Sequence, residues 1–180
     1  MRNNRLVEDC AVGRRSFTIV PGCCQSETQV RAALSGAGCS MTFHGDKLLR
    51  RLEWPGGSGR LELVIVSDQE LGLCGEYSQQ QLLDCAREHG YGVCPPVAGP
   101  LARLVCFDQP SGEEVFVGME PILGDEGYLV FVLAKATWSS VLNGALVQPQ
   151  EPFASGKERP NLWLLVAPAK ESKSTTKQEV

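Results

Sequence analysis

The sequence predicts an α+β fold: a mostly antiparallel, twisted sheet of about five to seven strands with two or three helices packed on one face. Two observations support this class. Capped, amphipathic helical segments alternate with strand-like runs in the first half of the chain, whereas strand-like runs and turns fill the second half. With 180 residues, 43% of them hydrophobic, the chain is long enough to form one domain with its own core.

The first half begins with a predicted strand at 16–20 (SFTIV), which Pro21-Gly22 ends. Ser26 is expected to cap a helix, because Gln29 lies three residues further on, in the arrangement of a capping box. A short strand is predicted at 41–44. Asp46 is expected to cap a second helix at 47–54.

The glycine-rich breaker at 55–59 (PGGSG) bears on domain organisation. We interpret it as a wide turn inside a single α+β domain of residues 15–168, because the residues before it are too few to bury a core alone. The alternative is a linker that divides this domain at 55–59. The polar ends, 1–14 and 169–180, are predicted to be disordered.

The breaker precedes a predicted strand at 60–66, and Ser78 then opens the central helix, with Gln81 completing a second capping box. Helical spacing predicts three residues on its buried face: Leu82, Leu83 and Ala86. Cys85 and His89 lie at the edge of that face.

The rest of the chain predicts an antiparallel meander. Strands are expected at 101–107 and 114–120, joined by a turn-rich loop, and at 127–135, where a continuous apolar run indicates burial on both faces. Asn143-Gly144 is the dipeptide preferred in type I′ hairpin turns. A last strand is predicted at 162–166.

Composition and charge exclude several classes of partner. The net charge of −4 gives no basic field that would attract nucleic acid, and the sparse aromatic residues form no stacking platform. No apolar run approaches the length of a membrane span, and no secretory signal pattern is present, so we predict a cytoplasmic protein whose cysteines are free thiols. No phosphate-binding, nucleotide-binding or catalytic motif occurs, so we expect no cofactor.

Four metal-ligating side chains fall between residues 74 and 94: Cys74, Cys85, His89 and Cys94. They could hold a structural zinc ion, although their spacing lacks the paired C-x2-C element of most such sites. Cys85, His89 and Cys94 could also line, together with Arg103, the cleft of a small hydrolase or toxin-like enzyme. Cysteine and histidine at the edge of an amphipathic helix are otherwise core residues, so we predict no metal and keep both sites as alternatives.

A binding surface is predicted from strand parity. If residues 101–107 and 114–120 form a hairpin, one face carries Arg103 opposite Gly118, with Glu120 diagonal to it. The binding candidates on this half-polar face are Arg103, Glu120, Phe116 and Glu114. Such a face could accept a partner protein or a small anionic ligand; otherwise Arg103 and Glu120 form an exposed ion pair.

Four segments occur in a recognisable order: ELGL at 70–73, GVCPPVAGPLARL at 92–104, DQPSGEEV at 108–115 and MEPI at 119–122. Together they resemble a group of bacterial proteins of unknown function. The resemblance covers residues 61–166 and implies a bacterial, cytoplasmic protein. It implies no activity.

The sequence thus favours a small binding or adaptor module that uses a half-polar sheet face. The alternatives are an enzyme with a cleft near Cys85, His89, Cys94 and Arg103, and a structural zinc protein. The sequence specifies neither the partner nor the oligomeric state.

Overall fold

The computed structural model describes residues 15–54, 59–106, 108–153 and 160–168. The strands in these residues are β1 (Ser16–Ile19), β2 (Cys39–Met41), β3 (Leu61–Ser67), β4 (Tyr77–Ser78), β5 (Glu114–Val117), β6 (Ile122–Leu123), β7 (Tyr128–Lys135), β8 (Ser140–Val147), β9 (Pro152–Phe153) and β10 (Leu162–Val166). The α-helices are α1 (Glu27–Gly36), α2 (Phe43–Leu49), α3 (Gln79–Glu88) and α4 (Ala98–Arg103). The segments 1–14, 55–58 and 169–180, for which disorder or a breaker was predicted, lie outside the described residues.

The α+β class is confirmed, but the sheet differs from the predicted one. Its order is β1-β3-β10-β5-β7-β8-β2, and β6 also pairs with β7, which gives eight strands in the described residues instead of five to seven. Most pairs are antiparallel, whereas β10 with β5 and β2 with β8 are parallel. The last strand, β10, lies inside the sheet because Trp163, Leu164 and Leu165 are buried and need neighbours on both sides.

Helices cover both faces of the sheet, so the prediction of helices on one face is wrong. Leu63 and Ile65 of β3 share a core cluster with α1, α2 and α4, whereas Val64 and Val66 belong to a second cluster with α3. Alternate residues of a strand point to opposite faces. Because β3 is apolar at four successive positions, each of its faces needs a helix above it.

The two helices predicted from capping boxes form, with a complete box at α3 and the serine half of one at α1. In α3, the Ser78 Oγ accepts a hydrogen bond from the Gln81 backbone N–H, and the Gln81 side chain accepts one from the Ser78 N–H at 2.7 Å. In α1, the Ser26 Oγ accepts from the Gln29 N–H at 3.3 Å. Both signals are local, so they required no knowledge of the tertiary structure.

The second helix begins earlier than predicted, because Thr42 and not Asp46 is its cap. The Thr42 Oγ1 accepts a hydrogen bond from the Gly45 N–H and donates one to Asn143 Oδ1 at 2.6 Å. Asp46 lies within α2 and pairs with Arg31 at 2.6 Å and with Arg50 at 2.9 Å. The strand predicted at 41–44 accordingly lies at Cys39–Met41.

The hairpin turn predicted at Asn143-Gly144 is also wrong, because both residues lie in the middle of β8. The chain reverses at 136–139, where the Ala136 N–H donates to the Ser139 carbonyl. Tertiary contacts explain why Asn143-Gly144 occurs inside a strand. Asn143 accepts the Thr42 hydroxyl, and Gly144 leaves room for α2, since a Cβ there would lie 2.8 Å from the carbonyl carbon of His44.

The strand predicted at 101–107 is replaced by a helix. Pro95-Pro96 form a corner, the Ala98 N–H donates to the Pro95 carbonyl, and α4 follows with all six of its residues buried. Proline is tolerated in the first turn of a helix, so Pro100 does not prevent it. Phe107 lies outside the described residues.

None of the helices in the described part of the chain combines the length and the apolar character needed to cross a bilayer.

Gly99 tests the close packing of α4 on the sheet, with Gly36 of α1 as a comparison. We expect Gly99→Ala to destabilise the protein by about 1–3 kcal/mol, because a Cβ would lie 2.6 Å from the ring of Phe131 in β7. Gly36→Ala at the end of α1 is the matched control. Its Cβ meets nothing within 4 Å, so stability should stay the same or rise by up to about 1 kcal/mol. Urea unfolding measures both, and equal effects would contradict this packing.

Candidate functional site

Arg103 is an interior residue and not part of an open sheet face. It ends α4 with 0% of its surface exposed. Its Nη1 donates to Gln109 Oε1 at 2.7 Å and to the Ala134 carbonyl at 3.2 Å, and its Nη2 donates to the Cys106 carbonyl. The predicted half-polar binding face therefore does not form around Arg103, because its guanidinium is used inside the fold.

Gln109 completes this buried arrangement, which we call the Arg103–Gln109 clamp. Its side-chain N–H groups donate to the carbonyls of Leu133, at 2.6 Å, and Glu113, at 2.9 Å. Burial lowers the pKa of Arg103, but an arginine starts from so high a value that it stays charged at neutral pH. Carbonyl dipoles and an amide oxygen thus solvate the cation, and among the described residues no carboxylate bonds to it.

The other three predicted binding residues lie apart from Arg103. Glu120 is exposed and pairs with Arg87 of α3 at 2.8 Å. Phe116 packs against Trp163, with ring centroids 5.2 Å apart, and Glu114 is exposed at the start of β5. The structure therefore does not assemble the predicted Arg103–Glu120 pair.

The four predicted metal ligands do not converge on a metal site. They are Cys74, Cys85, His89 and Cys94. Cys94 is buried, and its Sγ donates to the Leu164 carbonyl at 3.3 Å, while Cys74 is exposed. The His89 Nδ1 lies 2.9 Å from the carbonyl of Cys85, so the imidazole satisfies the end of α3. Within the described residues, no group of three or more histidine, cysteine, aspartate or glutamate side chains could hold a metal ion.

The surroundings of Cys85 and Cys94 disfavour the thiolate form. Burial raises the pKa of Cys94 strongly, and burial followed by the nearby Glu88 and Asp84 raises the pKa of Cys85. Only the thiolate is the reactive form. The raised pKa values of Cys85 and Cys94 and the burial of Arg103 therefore do not favour a hydrolase site at these residues.

An apolar groove that the sequence did not predict lies elsewhere, on the face covered by α2 and α4. Its volume is about 480 Å³. It is lined by Arg51, Leu52, Glu53, Trp54, Pro95, Pro96, Val97 and Ile122. We call it the Trp54–Pro96 groove. Three parts of the chain form its walls: the segment after α2, the corner before α4, and β6.

Each wall of the groove is attached to the core. Leu52 is buried directly after α2, and Val97 is buried at the start of α4. The corner is held by the Pro95 and Pro96 carbonyls, which accept hydrogen bonds from the first two residues of α4. Ile122 pairs with Leu129 of β7 and packs against the core. The groove is therefore largely preformed.

Charged side chains attach the turn between β6 and β7 to α2. Lys47 contacts Glu126 at 2.7 Å, and His44 Nε2 lies 3.0 Å from the same carboxylate. These two contacts, that of Lys47 first, lower the pKa of Glu126. Arg51 donates to Asp125 at 2.7 Å and to the carbonyl of Leu123 at 2.8 Å. These contacts hold β6 against the helix and so fix one wall of the groove.

The two charged residues that line the groove differ in their pairing. The Arg51 guanidinium is engaged by Asp125, as described above. Glu53 is exposed, and in the described part of the chain it forms no hydrogen bond or ion pair. Glu53 therefore adds to the groove lining a carboxylate that has no partner among the described residues, and it is next to Trp54 in the chain.

Comparison with protein-family models found no matching family, and comparisons with curated proteins and with solved structures found no match either.

Arg103→Met tests the structural role of the clamp. We expect it to lower the free energy of unfolding by about 3 kcal/mol, because it leaves Gln109 and two buried carbonyls without a donor. Arg87→Met is the control, since its exposed pairs with Asp84 and Glu120 should contribute less than about 1 kcal/mol. Chemical denaturation measures both. A clamp variant as stable as its control would contradict the structural role.

Proposed function

We propose that this protein is a binding module and that its ligand is a small, mostly apolar molecule held in the Trp54–Pro96 groove. The observation that carries the proposal is the groove itself, an apolar cleft of about 480 Å³ with few polar groups in its wall. Small-molecule sites are typically clefts of about 300–1,000 Å³ with such a lining.

The proposal keeps the class of function that the sequence favours and moves the site. Binding on the 101–120 sheet face would require Arg103 to be accessible, whereas it is buried and bonded inside the fold. The alternative cleft near Cys85, His89, Cys94 and Arg103 would require a reactive thiol, whereas burial raises the pKa of Cys94. The groove offers accessible space and requires neither an exposed Arg103 nor a reactive thiol. A bacterial, cytoplasmic origin remains a prediction from the sequence.

Filling the groove tests the proposal. The neutral dye N-phenyl-1-naphthylamine, which fluoresces more strongly in apolar surroundings, should bind the wild-type protein saturably with one site per chain. Ile122→Trp places a larger side chain in the groove and should weaken this binding about tenfold, which corresponds to about 1.4 kcal/mol. Fluorescence titration measures the affinity.

Leu123→Trp provides the matched control. It introduces the same side chain one residue further along β6, on the opposite face of the strand, at a position that is already exposed. Its dye affinity should equal that of the wild type. Equal loss of affinity in both variants, or no saturable binding to the wild type, would sink the proposal; thermal melting confirms that both variants are folded.

A further inference from the structure

We infer that the ligand of the Trp54–Pro96 groove is a small organic cation, with an apolar body and an ammonium group that lies between Glu53 and Trp54. The inference rests on the proposed function and adds the charge of the ligand. It follows from the charges at the groove: Arg51 is already paired, whereas Glu53 has no partner among the described residues.

The charge in the groove wall is negative once its ion pairs are considered. Arg51 is the cation in the lining, and both Asp125 and the Leu123 carbonyl hold its guanidinium. Glu53 also lines the groove but has no partner within the described residues. An entering cation would therefore find a free carboxylate, whereas an anion would have to displace Asp125 and would approach Glu53.

The aromatic wall favours the same ligand. Trp54 lines the groove directly next to Glu53 in the chain. Indole is the best of the aromatic side chains for attracting an ammonium group. The remaining walls are Pro95, Pro96, Val97 and Ile122, which offer contact for an apolar body. Carboxylate, indole and apolar wall together match a cationic, amphipathic molecule.

The sequence favoured a face that could accept a small anionic ligand instead of a cation. That expectation depended on an accessible Arg103. That guanidinium is fully buried in the clamp and does not line the groove. Of the neighbouring cations, Lys47 is held by Glu126 and Arg50 by Asp46. No accessible, unpaired cation among the described lining residues is therefore left to receive an anion.

Three ligands with the same apolar body separate these possibilities: 2-naphthylmethylammonium, 2-naphthylmethanol and 2-naphthoate. By isothermal titration calorimetry at neutral pH, we expect the ammonium to bind about five- to twentyfold tighter than the alcohol, and the alcohol to bind tighter than the carboxylate. Glu53→Gln should reduce the preference for the ammonium over the alcohol by about two- to fivefold, because it removes the negative charge of the side chain.

Glu114→Gln is the matched control, because it removes one exposed carboxylate from β5, outside the groove. It should keep the full preference for the ammonium. If the alcohol binds as tightly as the ammonium, or if Glu114→Gln and Glu53→Gln act alike, the assignment of a cationic ligand is overturned while the groove stands. If none of the three ligands binds and the neutral dye also fails, the groove itself is overturned as a site.

Discussion

A buried positive charge constrains much of this fold. Arg103 cannot lose its proton, so the protein must surround it with acceptors, and it does so with the side chain of Gln109 and the carbonyls of Ala134 and Cys106. Gln109 in turn donates to the carbonyls of Leu133 in β7 and of Glu113, just before β5. These bonds fix the end of α4 on the sheet, and with it the direction in which the chain leaves the Pro95–Pro96 corner.

The groove is a consequence of this placement. Because α4 is packed closely on β7, with Gly99 against Phe131, its first residue cannot move away from the sheet, and the corner before it stands as a wall. The opposite wall is the segment after α2; ion pairs of Lys47 in α2 and of Arg51 in that segment connect them to the β6–β7 turn. Between the two walls, the side chains are too few to fill the space. The result is a cleft at the meeting point of three separately anchored segments.

Local signals were sufficient for part of the structure and misleading for the rest. The Ser78 capping box and the apolar run of β7 depend on neighbours in sequence, and these elements form where predicted. Asn143-Gly144 has the composition of a hairpin turn, but its close contacts with Thr42 and His44 place it inside a strand. Strand parity assigned Arg103 to a half-polar sheet face. Its actual partners, which come from residues 106–134, become apparent only in the folded structure. The groove was not predictable, since Trp54, Pro96 and Ile122 are distant in sequence.

The most direct test of the central claim, that the Trp54–Pro96 groove is the ligand site, is a nuclear magnetic resonance titration with 2-naphthylmethylammonium. Backbone amide, indole N–H and methyl signals, recorded together, report on the groove and on the alternative sites. The account predicts that the largest shifts occur at the indole of Trp54 and the methyl groups of Val97 and Ile122, which line the groove. Largest shifts at Phe116 and its neighbours in β5, or around Cys85 and His89, would contradict it.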